Sequence, residues 1–260
     1  MSGLFVPIDG SGTASATNVL APNASPMTLD GTNTWVIGQG ETVLIVDPGP
    51  DDEHHLRRLV ELLGERRVAT ILLTHGHPDH SGGAATFAAM VSAPVRALDP
   101  NHRLGSEGLG DGDVVTTSDL ELRVIGTPGH SADSLCFWLP ADAALLTGDT
   151  ILGRGTTVIA PDGDLADYLR SLDKLRAMAE LAEARTLLPG HGPMLPDPIG
   201  KLDEYLAHRR KRLDQIREAI RAGAKDVPEI VEMVYADVDR SLWPAAEMSV
   251  AAQLNYLKNL

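Results

Sequence analysis

The sequence is short of cysteine, aromatic rings, positive charge and long apolar runs, and each shortage removes a class of protein. The single cysteine, Cys136, cannot form a disulfide within the chain, so nothing here calls for an oxidising compartment. No apolar run approaches the roughly 20 residues that cross a bilayer. The first residues, Met1 to Pro7, lack a basic start and a long apolar stretch, so no secretory leader is expected. These features predict a cytoplasmic chain with no membrane partner. Aromatic residues make up 4% of the chain, which weakens any base-stacking groove. Lys and Arg number 22 against 36 Asp and Glu, a net charge of −14. So acidic a body is a poor general surface for a phosphate backbone. The imbalance is uneven: residues 1–195 carry 25 acidic and 12 basic side chains, and residues 196–260 carry 11 and 10. No Gly-x-Ser-x-Gly elbow and no Gly-x-x-x-x-Gly-Lys loop occurs, so serine hydrolysis and P-loop chemistry lack support.

What the chain does have is histidine, concentrated in Thr74-His75-Gly76-His77-Pro78-Asp79-His80-Ser81-Gly82-Gly83. This stretch follows an apolar run, Val68 to Leu73, that reads as a buried strand. Imidazole and carboxylate are common zinc ligands. Residues two apart in extended backbone point the same way, so His75 and His77 can grip one ion. Pro78 bends the chain, so Asp79 and His80 can face a second point. A polar surface loop would not need so dense a spacing.

Three later positions share one device. His130, Asp149 and His191 each follow a short predicted strand and a glycine. Singly, each reads as a turn residue; beside the His-rich loop they read as a set. His75, His77 and His130 are assigned to one ion, Asp79, His80 and His191 to another, and Asp149 to both. Such a pair lowers the pKa of a shared water from about 15.7 towards 7, giving hydroxide at neutral pH. Asp79 is the candidate catalytic residue, orienting that water or accepting its proton. Asp47 is either a carboxylate hydrogen-bonded to a ligand histidine or a turn cap. His54 and His55 read as exposed helix residues. His102 and His208 lack the strand-end context and stay outside the set.

The periodicity predicts an irregular segment over 10–26, then strands over 32–38 and 42–47 joined as a hairpin. A helix follows over 51–63. After the His-rich loop come a helix over 84–91, strands over 94–98, 114–117, 120–125, 135–139 and 143–146, and a loop or edge strand over 153–164. A helix over 165–182 and a strand over 186–188 complete this part. Two groups of strands, each followed by helices, predict an α/β fold, a four-layer αββα sandwich. Leu195-Pro196-Asp197-Pro198 marks a boundary, dividing a catalytic domain (1–195) from a helical one (196–260). The latter has a long helix over 199–222 with Leu202, Leu206, Leu213, Ile216 and Ile220 on one face, and shorter ones over 228–235 and 245–260.

With these residues in view, the chain resembles the metallo-beta-lactamase superfamily of dinuclear metal hydrolases. The His-x-His-x-Asp-His loop, His130, Asp149 and His191 match that family's ligand motifs in order. Thr32-Asn33-Thr34, Asp47-Pro48-Gly49, Gly148-Asp149-Thr150-Ile151-Leu152-Gly153 and Leu188-Pro189-Gly190-His191-Gly192-Pro193 resemble the beta-lactamase-like protein 2 group. That resemblance implies a winged-helix-like C-terminal appendage, and it leaves the substrate open. The best-known zinc beta-lactamases use a cysteine ligand, whereas Asp149 stands here and Cys136 lies within a predicted strand. An antibiotic-degrading role is therefore not expected.

The expected function is hydrolysis of an ester, thioester or phosphodiester with two divalent ions, zinc foremost and Mn2+ or Fe2+ as alternatives. The alternatives within that reading are a hydroxyacylglutathione-hydrolase-like thioesterase and a single-strand-specific endoribonuclease acting on RNA. For the latter, Arg209, Arg210, Lys211, Arg212, Arg217 and Arg221 could contact phosphates. The preferred reading of that run is a solvated helix face paired with Asp203, Glu204, Asp214 and Glu218. A non-catalytic, metal-stabilised binding module is the remaining alternative.

Overall fold

The computed structural model describes residues 9–259; residues 1–8, which include the stretch read above for a leader, and Leu260 lie outside them. Strands β1 (Ala16–Leu20), β2 (Asn33–Ile37), β3 (Thr42–Val46), β4 (Arg67–Leu72) and β5 (Val95–Arg96) form one sheet in that order. Strands β6 (Val114–Thr116), β7 (Glu121–Gly126), β8 (Leu135–Leu139), β9 (Ala144–Gly148), β10 (Thr186–Pro189) and β11 (Leu195–Pro196) form the other, also in sequence order. Both sheets are mixed: β3, β4 and β5 run parallel, as do β9 and β10, and the remaining neighbours are antiparallel.

Side-chain alternation builds the layers. Leu44 and Val46 point to the inter-sheet core with Trp35, Phe137 and Leu146. Their neighbours Val43 and Ile45 point outward, under α1 (Glu53–Leu63) and α3 (Ala84–Val91). On the second sheet Cys136, Trp138 and Leu145 face α4 (Leu165–Leu181) and α5 (Pro198–Arg221). Alternate residues of a strand face opposite ways, so each sheet is apolar on both faces and needs helices outside. The result is the expected four-layer αββα sandwich. A last cluster joins α5 to α6 (Val227–Val234) and α7 (Trp243–Lys258) through Ile216, Ile230, Val231 and Val250. No helix among the described residues is long and apolar enough to cross a membrane.

Three expectations need correction. Residues 16–20 are not irregular: they form β1, an edge strand paired in register with β2 from Ala16↔Ile37 to Leu20↔Asn33. The Gly-, Ser- and Pro-rich flanks hid it, and pairing supplies what local composition does not. His55 is not exposed. It is fully buried, and its Nε2 lies 2.9 Å from Thr34 Oγ1, because it falls one residue before Leu56 on the inward face of α1; His54 does face solvent. On α5 the apolar stripe ends in Ala219, while Ile220 is 44% exposed, since a 3.6-residue turn drifts off a four-residue step. Residues 153–164 are irregular, without a strand.

Burial makes two of these side chains testable. The Cys136 thiol is fully buried and pushed up to about 11 by desolvation. A thiol-titrating disulfide reagent at pH 8 should therefore find no reactive thiol in native protein and one after denaturation. Burial, aided by Arg58, lowers His55 to about 4 from 6.5. A neutral buried histidine gives stability that is complete above the unfolded value and is lost as pH falls towards the folded one. Between pH 7 and pH 5 the wild type should lose about 2 kcal/mol more than His55→Gln, read by denaturant titration. Equal losses would place the ring in water.

Candidate metal centre

The C-terminal ends of β3, β4, β9 and β10 meet at one rim of the sandwich, and the histidine-bearing loops leave from there. After β4 the chain bends at Thr74 and runs through His75 and Gly76 to His77, whose backbone is extended, and Pro78 starts a single helical turn, α2 (Pro78–Ser81). That turn swings Asp79 and His80 away from the His75–His77 edge. Across the rim, Gly190 permits the close approach that brings His191 in. A Cβ there would stand 2.7 Å from both Asp149 Oδ1 and His80 Cε1. Gly148 has φ +46°, a left-handed turn that aims Asp149 inward.

The chain fixes one nitrogen of four of the imidazoles and leaves the other to face the centre. His80 Nδ1 donates to Asp47 Oδ2 at 2.8 Å. His130 Nδ1 donates to the Val158 carbonyl at 2.6 Å, and His191 Nδ1 to the Gly31 carbonyl at 3.1 Å. Thr74 Oγ1 donates to Asp47 Oδ2 at 2.6 Å and so accepts from His75 Nδ1 at 3.0 Å. In each ring the neutral form then carries its lone pair on Nε2. Asp47 also accepts from the Thr74 backbone N–H at 2.7 Å. It therefore hydrogen-bonds a site histidine and caps the strand end at once, joining the two roles the sequence left as alternatives.

All seven sequence-predicted residues come together. The facing atoms of His75, His77 and His130 lie within 4.8 Å of one another, as do those of Asp79, His80 and His191, and of His75, His80 and Asp149. His77 Nδ1 is 3.0 Å from both His75 Nε2 and His130 Nε2, and His80 Nε2 is 3.2 Å from His191 Nε2. Asp149 lies between the groups, 3.4 Å from His80 and His191 and 3.7 Å from His130. Its Oδ1 is buried with no hydrogen-bond partner. Facing lone pairs at about 3 Å and an orphaned carboxylate oxygen are what a divalent cation satisfies, and the nitrogen-and-oxygen donor set suits zinc, iron or manganese.

The charges are arranged in the same sense. Burial and the neighbouring His80 keep His75 well below the usual imidazole range, and burial also lowers His130. Burial opposes charge on His80 and His191 too, but there the carboxylates outweigh it. Asp149, Asp47 and Asp79 raise His80 well above its ordinary value, and Asp149 with Asp79 raises His191 to about 9. Burial likewise opposes ionisation of Asp149, but His191 and His80 hold it well below the carboxylate range. The carboxylates thus draw positive charge onto this side of the cluster.

A cavity of about 350 Å3 opens on His130 and Asp149, between the sandwich and α5–α7. His208, Arg209 and Arg212 line its far wall, and neither Arg209 nor Arg212 behaves as a solvated face residue. Arg209 is 2% exposed and Arg212 lies over the Tyr235 ring at 4.2 Å. The sequence did hold a signal. Leu202, Leu206, Arg209, Leu213 and Ile216 step along α5 by four and three, so Arg209 interrupts the apolar stripe. His102 is half-buried beside Gly76.

Residues 27–191 match the family model of the metallo-beta-lactamase superfamily, and residues 227–259 that of the beta-lactamase-associated winged helix domain. A beta-lactamase-like protein 2 homolog of Caenorhabditis elegans is 34% identical over 232 residues, 85% of this chain and 76% of the relative. An atrochrysone carboxyl ACP thioesterase of Aspergillus fumigatus is 32% identical over 235 residues, 84% of this chain and 72% of that one. A metallo-beta-lactamase family protein of Thermus thermophilus superposes with a TM-score of 0.79 at 23% identity, over 94% of this chain and 93% of that one.

Asp47 gives a test of the tautomer arrangement. Asp47→Asn presents an amide to His80 Nδ1, which must then accept, leaving the ring proton on Nε2. Affinity for Zn2+, read by competition with a chromophoric chelator, should fall about 10- to 100-fold with the fold intact by circular dichroism. Unchanged affinity would leave Asp47 as a turn cap alone.

Proposed function

This chain belongs to the metallo-beta-lactamase superfamily, and from that premise we propose that it is a dinuclear metal hydrolase of a small acyl thioester or ester. His75, His77 and His130 would hold one ion and Asp79, His80 and His191 the other, with Asp149 near both groups. Zinc is the preferred metal, with Fe2+ and Mn2+ suited to the same donors. Bound there, a divalent pair supplies Lewis acidity, which acidifies a coordinated water and polarises the carbonyl.

The chain's own residues do the rest. Asp79, whose ionisation is opposed by burial yet favoured by His80 and His191, is charged at neutral pH. With His77 it is one of the two most open members of the set, with 28% of its side chain exposed. Its free oxygen orients the attacking water and takes its proton. As the new C–O bond forms, the C–S bond breaks, and that proton leaves with the thiol. Asp47 and the Val158 and Gly31 carbonyls keep the imidazoles aligned through the step.

One observation carries the acyl reading: the cavity on His130 and Asp149 is walled largely by Met27, Leu29, Leu152, Val158, Val238 and Leu242. Such a wall accepts an acyl group. The thioesterase name of one relative agrees with it. The endoribonuclease reading rested on the basic run of α5. There, among the described residues, only Arg210, Lys211 and Arg221 stay open to solvent without an ion-paired carboxylate; Arg217 pairs with Asp214. A purely structural metal site would have no need of a cavity ending on Asp149.

The metal-loaded protein should hydrolyse acyl thioesters in a panel that also holds lactams, lactones and single-stranded RNA. Chelation should abolish the activity, and Zn2+ should restore it. Asp79→Ala should lower kcat about 10²- to 10⁴-fold. Turnover of RNA with thioesters at background would replace this reading by the endoribonuclease one. Background on every substrate would leave the binding module.

A further inference from the structure

The far wall of the cavity carries charge that hydrolysis by itself does not use. Arg209 is buried, its Nη2 donates to the Thr157 carbonyl at 2.5 Å, and its guanidinium carbon lies 4.9 Å from the centre of the Tyr168 ring. Its Nε is buried with no hydrogen-bond partner. Arg212, one turn on, donates to Gln215 Oε1 and the Val234 carbonyl. Among the described residues the ion pairs of α5 are Lys201 with Glu204, Arg217 with Asp214, and Asp203 with Arg176. Neither Arg209 nor Arg212 takes part. His208 Nδ1 is also buried without a partner. Burial, then the charges of Arg209, Arg212 and Lys211, bring that ring down to about 4, so it is neutral and adds a polar edge.

A buried guanidinium with no counter-charge is costly. The chain has 36 Asp and Glu residues, yet among the described residues it ion-pairs none of them with this one. The same cavity reaches His130 and Asp149 at its other end. We propose that the Arg209–Arg212 wall is a subsite for a carboxylate on the substrate. The substrate is then a thioester or ester whose acyl group carries a second, free carboxylate. That group reaches Arg209 while the scissile carbonyl sits between Asp79 and Asp149. This rests on the hydrolase reading above and narrows its substrate class. A cavity of about 350 Å3 admits a short acyl chain. A monoanion matches one fully buried guanidinium better than a phosphate dianion, which asks for more donors than the wall shows.

The test separates the subsite from the chemistry by measuring binding without turnover. Glutarate and pentanoate are the acids that a carboxylated and a plain five-carbon thioester would release, and they differ only in the second carboxylate. Calorimetric titration of the zinc-loaded wild type should show glutarate bound about tenfold or more tightly than pentanoate. The ratio should approach one in Arg209→Gln and fall less in Arg209→Lys and Arg212→Gln. If Arg209→Gln does not fold, those two variants carry the comparison. Equal binding of the two acids by the wild type, or a glutarate preference that is undiminished in Arg209→Gln and Arg209→Lys, overturns the proposal. Tighter, Arg209-dependent binding of inorganic phosphate overturns it too, and makes the group a phosphoryl. Failure of the hydrolase reading would show elsewhere, as absent thioester turnover, and would not alter the binding ratio.

Discussion

The carboxylate of Asp47 is the joint on which the centre is built. It ends β3, is 1% exposed, and sits at φ +52°, where residues other than glycine are uncommon. Three donors converge on it: the Thr74 N–H, Thr74 Oγ1 and His80 Nδ1. The first two lock the end of β4 to the end of β3, and the last aims His80. Through Thr74 Oγ1 the same carboxylate reaches His75. A buried charge so hydrogen-bonded is stable where a bare one is not. Its removal would free two imidazoles and a strand end together.

The sheets deliver the remaining parts to that joint. Parallel pairing of β3 with β4, and of β9 with β10, puts four strand ends on one rim. The two sheets close face to face over Trp35, Leu44, Phe137 and Leu146. Asn33 stitches the rim, its Nδ2 donating to the Pro189 and Gly192 carbonyls at 2.9 and 2.8 Å on either side of His191. The Leu135 N–H donates to the Thr74 carbonyl at 2.7 Å, tying the second sheet to the His-rich loop. The centre therefore exists only when both sheets are assembled.

Much of this was legible in the chain because it is local. The dense His-Asp spacing, the strand-end glycines at 129, 148 and 190, and the alternation of β3 and β8 all sit within a few residues of what they determine. What escaped depends on partners far away. β1 is a strand because β2 lies beside it, not because of its own composition. His55 is buried because Thr34 and Gly49 close over it, contacts a helical wheel only half suggests. Arg209 lies on the apolar stripe at helical spacing, but four basic residues in a row from 209 to 212 read more readily as a surface than as one inward and three graded outward.

Helices α4 and α5 are part of the centre rather than an ornament on it. Ser171 on α4 donates to the Pro128 carbonyl at 2.7 Å, and Tyr168 to the Thr150 carbonyl at 2.7 Å. From α5, Tyr205 Oη accepts from the Leu152 N–H at 2.9 Å, and Arg209 binds the Thr157 carbonyl. These four side chains pin the backbone that flanks His130 and Asp149, neither of which lies in a strand. Residues 153–164 have no sheet partner of their own, yet they supply the Val158 carbonyl that sets the His130 tautomer. Without α5 that loop would lose its anchor, and His130 with it. The long helix therefore performs two tasks at one position: Arg209 steadies a loop behind an imidazole and faces the cavity in front of it. A change there would move binding and alignment together, so comparing two acids within each variant isolates the first.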